Sequence, residues 1–262
     1  MKAIGLNFIR GLLSRGCYTI TRAEASKALD RQGSALDKIL QRLKKSGWLL
    51  PLGDSFFVIV DPLHQGIGSI PPAWFLDAWA QFKALEYYVS GVSAAEIHGA
   101  AHQRPQVFQI VVNRSIRPFR IPSANIMFLY KKRISSIMWE NKKVPTGFFR
   151  VSTPEITAYD LLALRRACPS IDRIATIYVE LGEMIRADAL ARLFTLNCET
   201  AILQRAGWLL DRTGWSKITG KLAEKLKAHQ MNWTLLQPGL DAPGRRNKKW
   251  RIIENTDVQP DI

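Results

Sequence analysis

Cysteine is scarce in this sequence. Its three cysteines, Cys17, Cys168 and Cys198, lie far apart, and none belongs to a Cys-x-x-Cys pair. An odd number of widely spaced cysteines excludes a disulfide-rich scaffold and argues against a thiolate zinc site. We therefore expect reduced cysteines in the core of a cytoplasmic protein.

Long apolar runs are also missing. The longest, such as 56–60 and 107–112, have the length of a strand, whereas a helix that crosses a bilayer needs about 20 apolar residues. Near the N-terminus Arg10 and Arg15 interrupt the apolar residues, and no small-residue cleavage site follows them. The sequence thus predicts neither a signal peptide nor attachment to a membrane.

The motifs of several common enzyme classes are missing too. There is no Walker A motif, no Gly-x-Gly-x-x-Gly and no His-Glu-x-x-His, and neither Gly33-Ser34 nor Gly68-Ser69 is followed by the Asp-x-Asp of nucleotidyltransferases. His98 and His102 have the spacing of two metal ligands on one helix face, but Gly99 lies between them and no third ligand is evident. We expect no enzyme activity, no bound metal and no cofactor.

Positive charge is what the sequence has in excess. The net charge is +15, from 37 Lys and Arg against 22 Asp and Glu. A surface of this charge attracts polyanions, and nucleic acid is the first of these to consider. With 47% hydrophobic residues over 262 positions, the chain also has enough apolar material for two folded domains.

The first 60 residues show the element order of a winged helix-turn-helix: helix, short strand, helix, tight turn, helix and hairpin. Thr21-Arg22-Ala23-Glu24 is a capping box that begins the second helix. The third helix is predicted to begin with Ser34 as its N-cap and to end at Lys45, and two strands joined through Gly53-Asp54 form the wing. One face of the third helix carries the apolar stripe expected of a buried helix, namely Leu36, Ile39, Leu40 and Leu43.

The opposite face of the third helix predicts contacts with DNA. A helix in the major groove must expose side chains that donate to base edges and phosphates. Our predicted DNA-binding set contains the residues on or beside this face, together with the start of the second helix: Thr21, Arg22, Ser34, Ala35, Lys38, Gln41, Arg42, Lys44 and Lys45. Docking of a protein and a merely solvated face are the alternatives. Asp37 would repel phosphate here unless it accepts from a cytosine amino group or pairs with Lys38 or Arg42.

Residues 61–72 are rich in proline and glycine, which predicts a linker to a larger domain at 73–262. In that domain Ser93 is interpreted as the N-cap of a short helix. Strands are predicted at four places and precede a series of helices that begins at Ser152-Thr153-Pro154-Glu155; the predicted strands are 107–112, 119–121, 126–130 and 148–151. The predicted fold class is therefore α+β, with an N-terminal winged helix-turn-helix followed by a larger mixed α/β domain, strands first and then helices.

Basic residues recur in this second domain. Residues 71–262 contain 27 Lys and Arg against 17 Asp and Glu, a net charge of +10. Two clusters lie near its predicted strands, namely Arg114, Arg117, Arg120, Lys131, Lys132 and Arg133, and a third lies at 245–249. Such clusters could contact additional DNA, RNA or an acidic protein surface, and scattered solvated charge is the alternative for each.

Several motifs carry a resemblance to a known family. The segment Gly91-Val-Ser-Ala-Ala-Glu-Ile-His-Gly99, followed by His102-Gln103-x-Pro105-Gln106-Val107-Phe108, resembles the AbiEi antitoxins of type IV toxin–antitoxin and phage abortive-infection systems. Further matches are Arg150-Val151-Ser152-Thr153-Pro154-Glu155-x-Thr157 with Asp160-Leu161, and Asn247-x-x-Trp250-Arg251 with Asn255. The resemblance covers nearly the whole chain, because that family also begins with a winged helix.

The resemblance implies a function in two parts. Proteins of this family repress their own operon by binding inverted repeats in its promoter, and their C-terminal domain counteracts a toxin that resembles a nucleotidyltransferase, by contact or through the toxin's target or state. On this basis the six basic residues at 114–133 named above become candidates for toxin neutralisation, and we expect a monomer in solution that pairs on DNA. A ligand-sensing transcriptional regulator and a nucleic-acid-processing enzyme are the alternative functions.

Overall fold

A computed structural model describes residues 2–53, 55–101, 105–164, 166–168, 170–196 and 198–260. Asp54 of the predicted hairpin turn lies outside these residues. So do His102 of the predicted histidine pair and its neighbour Gln103.

The N-terminal part has the element order that the sequence predicts. Its three strands form an antiparallel sheet in the order β1-β3-β2. The elements are α1 (Lys2–Leu13), β1 (Thr19–Thr21), α2 (Arg22–Leu29), α3 (Gly33–Lys45), β2 (Leu49–Pro51) and β3 (Phe56–Ile59). The capping box is present, since the Thr21 hydroxyl accepts from the Glu24 amide at 3.2 Å and the Glu24 carboxylate accepts from the Thr21 amide at 2.7 Å.

The predicted N-cap of α3, Ser34, is wrong by two residues. Gln32 occupies the N-cap position with extended backbone, and no side chain caps the helix there. Gly33 has a positive φ of 53°, which glycine adopts readily, so the chain turns into the helix before Ser34 is reached.

Strand β3 is buried on both of its faces. All four of its side chains are at most 2% exposed. Phe57 and Ile59 belong to the hydrophobic cluster formed by the N-terminal helices, whereas Phe56 and Val58 belong to a second cluster formed with residues after position 69. The two parts of the chain are therefore joined by a shared hydrophobic core as well as by the polypeptide.

Residues 61–72, which the sequence predicts to be a linker, lie in turns between these two clusters. Ser69 and Ile70 are fully buried, and the Ser123 hydroxyl lies 3.1 Å from the Ile70 carbonyl oxygen. Trp74, just beyond this segment, contacts the Tyr18 ring edge-on at a centroid distance of 5.5 Å. The end of the segment is thus packed against the second part of the molecule, and Trp74 just after it contacts the N-terminal part.

The second part of the chain is built on a mixed six-stranded sheet in the order β6-β7-β5-β4-β9-β8. The pairs β5–β7 and β4–β9 are parallel, and the other neighbours are antiparallel. The strands are β4 (Tyr87–Val89), β5 (Val107–Val112), β6 (Phe119–Ile121), β7 (Ala124–Tyr130), β8 (Trp139–Val144) and β9 (Gly147–Ser152). Of these, β4 and β8 were not predicted from the sequence.

Helices and a small second sheet complete the fold. The helices are α4 (Leu76–Phe82), α5 (Gly91–Ile97), α6 (Pro154–Ala163), α7 (Ile171–Leu181), α8 (Ala187–Arg192), α9 (Thr200–Arg212) and α10 (Ser216–Ala228). The small sheet has the order β10-β12-β11, with β10 (Thr234–Leu235), β11 (Arg245–Asn247) and β12 (Ile252–Glu254). The α+β fold class predicted from the sequence is confirmed. Within the ranges described, none of the helices is long and apolar enough to cross a membrane.

The six-stranded sheet lies between two layers. Tyr88, Val111 and Leu129 face the cluster formed by the later helices, whereas Tyr87 and Ile110 face the cluster that includes β3 and α4. Alternate residues of β4 and β5 thus point into opposite cores, as expected for a sheet covered on both sides.

The interpretation of Ser93 as an N-cap is wrong. Ser90 occupies the N-cap position of α5, and Ser93 is fully buried within the helix. Its hydroxyl donates to the Val107 carbonyl at 3.0 Å and accepts from the Gln109 amide at 2.9 Å. Ser93 therefore attaches α5 to β5, a partner that lies 14 residues away and that no local pattern reveals.

The two-sided burial of β3 can be tested with three phenylalanine substitutions. We expect Phe56→Ala and Phe57→Ala, on opposite faces of β3, each to lower the free energy of unfolding by about 3–5 kcal/mol, because each empties a packed site. Phe148→Ala is the matched control, since Phe148 is 57% exposed on β9 and should change that free energy by less than about 0.5 kcal/mol. Urea unfolding of the full chain measures all three. If Phe56→Ala behaves like Phe148→Ala, β3 does not join the two cores.

Candidate nucleic-acid interface

Helix α3 has one buried and one exposed face, as its sequence predicts. Leu36, Ile39, Leu40 and Leu43 are at most 9% exposed and pack into the N-terminal core. The predicted DNA-binding residues of this helix are all exposed, namely Ser34, Ala35, Lys38, Gln41, Arg42, Lys44 and Lys45. The helix therefore presents a continuous polar and basic surface to solvent.

Asp37 lies on that surface, and its partner is Arg22 at the start of α2. An Arg22 guanidinium nitrogen lies 2.6 Å from an Asp37 carboxylate oxygen. This contact lowers the pKa of Asp37 and raises the pKa of Arg22, mainly through the hydrogen bond between them. The acid is thus neutralised by a neighbouring helix, not by Lys38 or Arg42 as considered from the sequence.

Two other predicted residues also have partners within the protein. The Thr21 hydroxyl is occupied by Glu24 in the capping box. The Lys44 ammonium lies 5.4 Å above the centre of the Phe57 ring, on the adjoining sheet. Together with Arg22, these side chains hold α2, α3 and the sheet in their relative positions.

The remaining cations of α3 are Lys38, Arg42 and Lys45. Among the residues that the structure describes, none of the three has a carboxylate within 4.0 Å. Their side chains are exposed on one helix, where they can reach an external anion at no cost in internal ion pairs. These three residues carry the free positive charge of α3.

The basic residues predicted for toxin neutralisation do not form one patch. Arg120 on β6 lies opposite Asn125, at the start of β7, whereas Lys131 follows the last residue of β7. Six residues of extended strand separate these positions, a distance of about 20 Å. Arg114 donates to the carbonyl oxygens of Lys83 and Ala84 at the end of α4. The exposed members without such a contact are Arg117, Arg120, Lys132 and Arg133.

Lys131 belongs to a buried polar network around Asp160. The Asp160 carboxylate is fully buried and accepts from the Lys131 ammonium at 2.9 Å, the Tyr88 hydroxyl at 2.8 Å and the Ser90 hydroxyl at 2.8 Å. Burial, and then the negative charge of Asp160, raise the pKa of Tyr88 well above its usual value. The network joins β4, the end of β7 and α6. An acid in an otherwise apolar helix, as Asp160 is in α6, is the sequence signal that could have revealed it.

His98 is a structural residue. Its Nε2 donates to the Ser152 carbonyl oxygen at 2.7 Å, and burial lowers the pKa of its imidazole, so the neutral form is favoured. In the part of the chain that the structure describes, no three His, Cys, Asp or Glu side chains are grouped to hold a metal ion.

Comparison with known proteins adds two findings. The model of one family, described as the AbiEi antitoxin C-terminal domain, matches residues 88–212. A crystal structure of the RV2827C protein from Mycobacterium tuberculosis superposes with a TM-score of 0.71, at 16% identity, over 96% of this chain and 91% of that chain. At this identity the likeness concerns the fold alone, and it includes both the N-terminal part and the larger second part. No curated protein matches the chain.

The Asp160 network is testable by its effect on stability. Asp160→Asn removes the carboxylate that pairs with Lys131, so we expect the free energy of unfolding to fall by about 3 kcal/mol. Glu140→Gln breaks an exposed ion pair with Lys142 (2.8 Å) and should lower the free energy of unfolding by less than about 1 kcal/mol. Denaturant unfolding distinguishes the two, and an equal small effect of both variants would contradict a structural role for Asp160.

Proposed function

We propose that the chain is the antitoxin of a type IV toxin–antitoxin system and also represses its own operon, starting from the match of residues 88–212 to the model of the AbiEi antitoxin C-terminal domain. The family match supports an antitoxin role in a toxin–antitoxin system, and this family is not known as an enzyme family. The proposal places the protein in the cytoplasm, where its promoter and its toxin are found. It assigns DNA binding to a winged helix at 1–60 and toxin neutralisation to residues 73–262.

The observation that supports DNA binding is the free positive charge of α3. Lys38, Arg42 and Lys45 project from one exposed face, and Asp37 on the same face is neutralised by Arg22. A helix with this surface suits the major groove, where lysine and arginine contact guanine edges and phosphates. Inverted repeats in the promoter would bring two copies together on DNA, whereas the free protein is proposed to be a monomer.

Neutralisation of a nucleotidyltransferase-like toxin, directly or through its target, is assigned to the exposed cations of the second part. Arg114 and Lys131 already have partners inside the protein, so the proposal rests on two separate pairs, Arg117 with Arg120 and Lys132 with Arg133. Each pair is exposed and could contact an acidic surface or nucleic acid.

The DNA-binding part of the proposal is tested by removing the free charge of α3. The variant Lys38→Ala/Arg42→Ala/Lys45→Ala should bind DNA from upstream of the chain's own coding sequence at least about tenfold more weakly. The slope of log affinity against log salt should also become shallower by about 0.9 for each phosphate that the variant no longer neutralises. Fluorescence anisotropy at several salt concentrations measures both quantities.

The matched control removes the same charge elsewhere, in Arg212→Ala/Lys217→Ala/Lys227→Ala, whose three side chains are exposed on α9 and α10. This variant should keep the affinity and salt slope of the unmodified protein. Equal weakening by both triple variants would mean that binding depends on total charge and not on α3.

The antitoxin part is tested by growth of cells that co-express the product of the adjacent reading frame. Point variants of the full chain are required, because separation near residues 61–72 would expose Phe56 and Val58 to water. We expect the α3 variant to lose promoter binding but still rescue growth. Lys132→Glu/Arg133→Glu should keep promoter binding but fail to rescue growth. Arg117→Glu/Arg120→Glu tests the second pair with the same two measurements.

Two outcomes would contradict this assignment. Full rescue by both charge-reversed variants would exclude these cations from neutralisation. If the product of the adjacent reading frame does not inhibit growth, or if the unmodified chain does not rescue growth, the antitoxin proposal itself is wrong.

A further inference from the structure

A cleft of about 660 Å³ in the second part of the chain has no role in the function proposed above. It lies between α6 and α7 on one side and α9 with the chain after β10 on the other. Most of the residues that line it are apolar, including Leu162, Ile171 and Ile202, although polar atoms make up about half of the exposed lining. Clefts of about 300–1000 Å³ with apolar walls and a few polar groups are typical of small-molecule sites.

Arg205 on α9 supplies one of the two charges in this lining. The residue is only 9% exposed, and its guanidinium donates through Nε to the Leu235 carbonyl at 2.9 Å and through Nη2 to the Thr234 hydroxyl at 3.1 Å. Both acceptors are neutral, and no described carboxylate lies within 4.0 Å of the guanidinium. Burial lowers the pKa of Arg205, and the more distant charge of Glu199 only partly offsets this effect. A largely buried cation without a carboxylate in direct contact is costly, so an anion that entered the cleft and contacted the guanidinium would be stabilised there.

The start of α9 adds to the positive potential. Ala201 and Ile202, in the first turn of this 13-residue helix, line the cleft, and no side chain caps the helix at Glu199. Ala201 and Arg205 are four residues apart, so they lie on the same helix face. The partial positive charge of the helix N-terminus and the guanidinium therefore act on the same volume. Glu199 also lines the cleft, and the charge of its exposed carboxylate acts on Arg205, so it opposes a bound anion without making an ion pair with the guanidinium.

Holding α9 against the small sheet does not by itself require a charge. The adjacent residue, Gln204, is 1% exposed and donates from its neutral amide to the Asn232 and Trp250 carbonyls at 2.9 and 2.7 Å. Arg205 makes similar contacts with neutral oxygens but places a cation at the wall of the cleft. On the opposite wall, burial raises the pKa of the Cys168 thiol, so that side chain is neutral.

We propose that this cleft binds a small amphipathic carboxylate, with its head on Arg205 at the start of α9 and its apolar body between α6, α7 and α9. A monoanion fits better than a dianionic phosphate, because there is one buried cation and Glu199 lies at the rim. The apolar lining excludes small hydrophilic anions such as acetate as tight ligands.

The test measures binding of three probes to the full chain by isothermal titration calorimetry. Hexanoate has both the anionic head and the apolar chain. Hexanamide has the same chain with a neutral head, and acetate has the anionic head without the apolar chain. We expect hexanoate to bind more tightly than either of the other two. Arg205→Gln keeps an amide donor near the position of Nε, which contacts Leu235, but removes the charge, so it should weaken hexanoate binding by about tenfold or more and leave hexanamide binding unchanged.

Glu199→Gln provides a second test that does not disturb the core, because its side chain is exposed. Removal of this carboxylate should strengthen hexanoate binding a few-fold, whether or not Arg205→Gln folds. The proposal is overturned if hexanoate and hexanamide bind equally, if hexanoate does not bind at all, or if Glu199→Gln leaves its affinity unchanged. None of these results bears on promoter binding or growth rescue, so the test is independent of the proposed function.

Discussion

The double burial of β3 is the constraint on which the arrangement of the molecule depends. A three-stranded sheet next to three helices normally needs one apolar face, and Phe57 and Ile59 supply it. The other face carries Phe56 and Val58, which pack with the layer beneath the six-stranded sheet. Four consecutive apolar residues therefore serve two cores at once, and residues 61–72 have little freedom to act as a tether. The packed Ile70 and the contact of Tyr18 with Trp74 follow from this arrangement.

Sequence reasoning succeeded where the physical cause is local. The apolar stripe of α3, the capping box at Thr21 and Glu24, and the start of α6 at Thr153 and Pro154 each depend on residues three or four positions apart. The fold class followed from the order of such elements. Strands β4 and β8 were not predicted, for two different reasons. Residues 87–89 form too short a run to recognise, and the sequence of β8, Trp-Glu-Asn-Lys-Lys-Val, looks like a solvated loop.

Side-chain partners were harder to predict, because they come from distant parts of the chain. Asp37 pairs with a residue of the preceding helix, and Ser93 bonds to β5. Lys131 looked like one of several surface cations, yet its ammonium contacts a carboxylate 29 residues away. The structure thus divides the excess of positive charge into two classes. Some cations, such as Arg114 and Lys131, stabilise the fold, whereas Lys38, Arg42 and Lys45 remain available to a partner.

If the protein binds inverted repeats in its promoter as proposed, the shared core of β3 also constrains how those repeats are arranged. A DNA-binding unit on a flexible tether can accept half-sites at many separations, because the tether absorbs the difference in distance and in helical phase. Here the orientation of α3 is tied through β3 to the bulk of the chain. Two copies bound to inverted repeats would then fit next to each other only at one preferred separation, because the second part of each copy has a fixed orientation relative to α3. The length of DNA between the repeats would be constrained as strictly as their sequence.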